Sequence, residues 1–74
     1  MKFEYDENAD GAFLWLIDDI ENAKSGVDEV WPKELGGNIG ILFEKSGKLI
    51  GFEFLNASVY LNFENFNSIY VPYE

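Results

Sequence analysis

Between Asn38 and Leu55, apolar residues return at every second position. Ile39, Ile41 and Phe43 precede the turn Lys45-Ser46-Gly47-Lys48, and Ile50, Phe52 and Phe54 follow it. A period of two belongs to a strand with one buried face, and the Ser-Gly pair is a turn signal. The segment therefore predicts an antiparallel hairpin turning at Ser46-Gly47, with those six side chains in the core. A second hairpin is predicted at the start of the chain. Lys2 to Tyr5 reads as a strand with Phe3 and Tyr5 on one face. Asp6-Glu7-Asn8-Ala9-Asp10-Gly11 reads as a turn, and Ala12 to Ile17 as the returning strand.

The remaining segments are shorter. Asp18 to Gly26 is polar and predicts a loop. Val27 to Trp31 predicts a third strand closed by Pro32, and Pro32 to Gly37 a single helical turn with Pro at its start and Gly at its end. Beyond Asn56 two readings stand. Ser58 can cap a short helix through Phe66, with Val59, Phe63 and Phe66 near one face; alternatively Val59, Leu61 and Phe63 alternate as a strand. Ser68 to Tyr73 reads as extended. Together these elements predict one α+β domain over residues 1–74. It is a small, mostly antiparallel β-sheet of two hairpins with one short helix or an irregular C-terminal segment.

The pattern leaves an apolar surplus. With Ala12, Leu14 and Leu16 packed inward, Phe13, Trp15 and Ile17 emerge on the opposite face, and Leu42, Leu49 and Leu55 emerge likewise from the second hairpin. A sheet with one wet face carries polar residues at such positions. Either the aromatic tail, with Tyr60, Phe63, Phe66, Tyr70 and Tyr73, folds back over that face, or a second chain covers it.

Composition narrows the functional classes. There is no cysteine and no histidine, which removes disulfides, thiolate metal sites, the commonest zinc ligand and the commonest general base. Fourteen acidic residues against five basic ones give a net charge of −9. Such a surface repels nucleic-acid backbones and anionic membranes and steers in a basic partner, while also keeping a chain that is 18% aromatic in solution. Neither nucleic acid nor membrane is expected as a partner. The longest apolar run, Ala12 to Ile17, falls far short of the roughly 20 residues that span a bilayer, and no signal-peptide core follows Met1. A soluble cytoplasmic protein is expected.

Two segments carry a family resemblance. Tyr5-Asp6-Glu7-Asn8-Ala9-Asp10-Gly11-Ala12-Phe13-Leu14 and the stretch Gly40 to Ser58, with Glu44-Lys45-Ser46-Gly47-Lys48-Leu49-Ile50-Gly51 at its centre and Asn56-Ala57-Ser58 at its end, resemble the YuzE-like bacterial domains of unknown function. The resemblance covers residues 1–58 with a longer middle insertion and leaves the tail unmatched. It implies a small antiparallel α+β domain and brings no catalytic residue or cofactor. It also implies a link to small ribonuclease-type toxins, with which some relatives are associated. Three positions depart from the family pattern: Gly11 stands for the usual Ala, Trp15 for a polar or basic residue, and Leu42 for an acidic one.

Candidate chemistry is sparse. Asp6-x-Asn8-x-Asp10-Gly11 matches the first half of a calcium loop, which needs alternate oxygen ligands, a glycine at the sixth position and a bidentate Glu at the twelfth. The twelfth position is Ile17, and Asp18 falls one residue late, so an ordinary acidic turn is the simpler reading. The serines have no histidine to activate them. No cofactor, no metal and no enzymatic activity are expected. The expected function is a non-catalytic protein-binding module, of antitoxin or immunity type, that neutralises a basic, nuclease-like partner. Asp18, Asp19, Glu21, Asp28 and Glu29 supply the charge, and Trp15 and Trp31 the aromatic anchors. Two alternatives remain: a calcium-binding domain through Asp6, Asn8, Asp10 and Asp18, and a self-associating structural protein such as a homodimer.

Overall fold

Both predicted hairpins form. The computed structural model describes residues 1–24, 26–66 and 70–72, of which residues 24 and 70–72 are described by backbone alone. Strands β1 (Lys2–Asp6) and β2 (Gly11–Trp15) make the first hairpin, and β4 (Ile39–Phe43) and β5 (Leu49–Leu55) the second. Strand β3 (Asp28–Val30) precedes β4, and β6 (Tyr70–Pro72) ends the sheet. The spatial order is β3-β4-β5-β2-β1-β6. The first five strands are antiparallel, and β6 adds parallel to β1. At the second turn Gly47 adopts φ 93° and donates its N–H to the Glu44 carbonyl, a conformation that glycine takes without strain. The predicted Ser68–Tyr73 extended stretch is strand at Tyr70–Pro72; its other residues lie outside the described ones.

The sheet has two apolar faces, each with its own cover. On the first, Phe3, Ala12 and Phe54 are buried with Ala57 beneath the segment that follows β5. That segment is neither of the single elements predicted. Helix α2 (Ala57–Tyr60) gives way at Leu61, and a 3-10 turn covers Phe63–Phe66. Asn56, in the left-handed region at φ 54°, stands at the N-cap position expected for Ser58. Phe66 stacks on Phe3 at 4.7 Å, and Phe63 lies 4.3 Å from Tyr5. Phe63 and Phe66 thus cover the inward face of the first hairpin, not the outer face for which the tail was a candidate cover; the side chains of Tyr70 and Tyr73 lie outside the described ones.

The second face is closed from the middle of the chain. Residues Asp18 to Gly26, expected as a loop, contain the short helix α1 (Ile20–Lys24). Its Ile20 is buried with Trp15, Leu42 and Ile50, flanked by Phe13, Ile17, Ala23 and Val27. Trp15 and Leu42 therefore lie in one cluster beneath α1. The helix supplies apolar cover through Ile20, and an apolar face is what such a cover requires.

One irregularity changes the expected core. Ile39 pairs with Phe54 and Ile41 with Phe52, but Leu42 pairs with Gly51 and Phe43 with Leu49. The extra residue in β5 is Ile50, a bulge that resets the alternation. Ile50 is buried as expected, yet it sits with Leu42 on the second face, and Leu49 moves to the first face beside Phe43.

Candidate functional site

The acidic residues expected to meet a partner are exposed, in two groups. Asp18, Asp19 and Glu21 lie where β2 leads into α1, with Asp18 3.8 Å from the Met1 amino group. Asp28 and Glu29 lie on β3, the outer strand. Asp28 pairs with Phe43 and so lies on the first face, where its carboxylate meets Lys45 Nζ at 3.1 Å. Glu29 pairs with Leu42 and lies on the second face. The two neighbours therefore serve opposite surfaces.

The aromatic anchors are placed otherwise than expected. Trp15 is 2% exposed, stacked on Phe13 at 5.3 Å, and its Nε1 donates to Glu4 Oε1 at 2.7 Å. It is a core residue, because α1 closes over it, and no partner reaches its ring. Trp31 is half-buried and lies against Gly40, where an added Cβ would come within 2.9 Å of the indole.

In the first turn, the carboxylates of the calcium-like motif already have partners. Asp6 Oδ1 accepts the N–H groups of Asn8 at 3.0 Å and Ala9 at 3.4 Å. Asp10 Oδ1 accepts from Tyr5 Oη at 2.8 Å and from the Ser58 N–H at 3.0 Å, and Oδ2 accepts from Ser58 Oγ at 2.7 Å. The Asp10 carbonyl takes the Ala57 N–H at 2.8 Å. These bonds, led by that from Ser58 and followed by that from Tyr5, hold the Asp10 carboxyl below its ordinary value. The side chain caps α2 from a distant turn and ties the first hairpin to the end of the second.

A carboxyl pair appears on the second face that alternation alone did not single out. Glu53, the one charged residue in Leu49–Leu55, is half-buried between Gly40 and Phe13. Burial first, then the facing charge of Glu29 and the hydrogen bond between the two carboxyls, push its pKa up to about 7. Glu53 also borders a depression of about 170 Å³ with Asp6, Phe13 and Leu55. The available signal was a lone acidic residue in an otherwise apolar strand.

The strongest surface feature lies on the first face, where the tail stops short. Pairing aligns Val30, Ile41, Phe52 and Leu14 in one row and sets Phe43 beside Leu49 in the next. The Leu16 N–H joins the Ile50 carbonyl, which brings Leu16 to the same end of the sheet. Val30 is 51% exposed, Leu49 43% and Leu16 39%, and Ile41 and Phe43 belong to neither buried cluster. Asp28 borders this patch.

Among the described residues no group of three or more carboxylates is arranged to hold a metal ion, and no helix is long and apolar enough to cross a membrane. No curated protein and no solved structure matches the chain. A family model described as "Protein of unknown function (DUF2283)" matches residues 2–58, a span that includes both hairpins, the Tyr5–Asp10–Ser58 contacts and the Glu29–Glu53 pair. The chain belongs to that family.

Proposed function

We propose that this protein is a non-catalytic binding module that docks a basic protein on the uncovered half of its first sheet face. The observation that carries the reading is the patch of Leu16, Val30 and Leu49, exposed in two neighbouring rows beside half-buried Ile41 and Phe43. Contiguous exposed apolar surface marks interaction sites, and burying it is the main source of binding energy. The net charge of −9 opposes a second copy of this chain on that face and favours a partner of opposite sign. Asp18, Asp19, Glu21, Asp28 and Glu29 would draw such a partner in, while the apolar patch, in place of Trp15, would hold it.

An antitoxin or immunity-type role is the specific form of this proposal. Carboxylates can occupy the cationic groups with which a nuclease grips phosphate, and the YuzE-like resemblance of residues 1–58 points to the same class of partner. Binding kinetics test it, with basic ribonuclease-type proteins as the ligands. Asp18→Lys with Asp19→Lys should slow association several-fold and flatten its salt dependence, because steering acts over about 8–10 Å. Val30→Ser with Leu49→Ser should leave association nearly unchanged and speed dissociation by about tenfold or more. Binding that is indifferent to both double variants would refute the proposal. A stable homodimer that Val30→Ser disrupts would replace it with the self-association reading.

A further inference from the structure

We infer that β3 is an open edge that takes up one further strand from a basic partner, a segment in which basic and apolar residues alternate. The inference rests on the docking reading above for the sign of the partner, and adds the form in which it binds. β3 ends the sheet on one side, and among the described strands only β4 pairs with it. Asp28, Glu29 and Val30 are all exposed. A strand paired on one side keeps alternate backbone N–H and C=O groups on its outer edge, and such a row is a template for another strand. Trp31, which follows, places its ring over Gly40 of β4, so it lies on the sheet and not across that edge.

The side chains of β3 set which strand fits. Asp28 and Val30 lie on the first face, and Glu29 on the second. Asp28 Oδ1 already accepts from Lys45 Nζ at 3.1 Å, which leaves Val30 and Glu29 to be matched. Val30 begins the row that runs through Ile41, Phe52 and Leu14. An apolar side chain on an added strand lengthens that row by one member and brings the partner to the exposed patch. On the other face a basic side chain meets Glu29, an opposite-charge pair of the kind that stabilises neighbouring strands. A second copy of this chain is the wrong occupant. Full pairing of two β3 strands across a two-fold axis sets Glu29 directly opposite Glu29, between chains that each carry −9. The acidic edge thus repels its own copy and stays open to a basic strand.

Titration of the full chain with the end-blocked peptide Lys-Val-Lys-Val-Lys-Val tests the inference. The amide signals of Asp28, Glu29 and Val30 should shift saturably, with a Kd of about 1 mM or tighter. At least one of those amides should gain about tenfold protection from hydrogen exchange in the bound state. The block sequence Lys-Lys-Lys-Val-Val-Val keeps the charge and composition but not the alternation, and should bind several-fold more weakly. Glu29→Lys should weaken the alternating peptide several-fold while the β4–β5 amides keep their protection, which shows the fold intact. The inference is overturned if the β3 amides neither shift nor gain protection, or if both peptides bind alike. It is also overturned if β3 becomes protected in the peptide-free chain as its own concentration rises. The docking reading is judged separately, by the kinetics of the Val30→Ser with Leu49→Ser variant against whole basic proteins. A peptide that leaves β3 unmoved while that variant still dissociates faster removes the added strand and keeps the docking face.

Discussion

Asp10 illustrates how one residue changes meaning between sequence and structure. In the sequence it is the third of the alternate positions Asp6, Asn8 and Asp10 in an acidic turn, the pattern of a half calcium loop. In the fold its carboxylate accepts from Tyr5 and twice from Ser58, forty-eight residues away along the chain. A carboxylate so engaged has fewer lone pairs to offer a cation, and the depressed pKa makes it a stabilising charge. The linkage runs in one direction. Stability from Asp10 is fully present above the ordinary value of 3.8 and is lost as pH falls through the lowered folded value. Asp10→Asn should lower the melting temperature at neutral pH and flatten acid unfolding in that window. An unchanged acid limb in the variant would show that the contacts with Tyr5 and Ser58 contribute nothing.

At the level of elements, periodicity located both hairpins but did not identify what covers each face. The second hairpin forms where alternation placed it, yet the Ile50 bulge sends two of its residues to faces opposite those expected. Bulges leave little trace in a hydrophobic pattern, because the extra residue is itself apolar. The two covers differ in kind as well. The tail shields Phe3 completely, while Phe52, nearer the uncovered end, stays half-buried. Phe3→Ala should therefore cost about 3–5 kcal/mol, and Phe52→Ala less, since truncation costs grow with burial and with the cavity left behind. Urea unfolding of the two variants provides the comparison. Equal losses would mean that the tail does not seal the Phe3 site.

For the whole molecule, two perturbed carboxyls act at opposite ends of the pH scale. Asp10 loses its contribution on acidification. Glu53 has a folded pKa raised from 4.5 to about 7, so its stability is fully present below the unfolded value and declines as pH rises toward 7. Stability should consequently be greatest in the mildly acidic range between these two windows and decline on either side, as urea midpoints across pH would record. In Glu53→Gln the decline toward neutral pH should disappear while the acid limb remains. At the same scale, an apolar half-face within a chain of net charge −9 combines attraction for basic surfaces with a place for them to bind.

The sequence by itself determined the two hairpins, the antiparallel α+β class, the turn chemistry and the acidic surface. Each of these depends on local periodicity, on residues suited to turns or on summed charge. The tertiary structure alone decided that α1 buries Trp15, that Phe63 and Phe66 cover Phe3, that Asp10 caps α2, and that Glu29 and Glu53 share the second face. Those outcomes depend on which distant segments come together across strands, and on one inserted residue in β5. No local pattern records either, because side-chain contacts across a sheet are set by register and by the cover that packs on it.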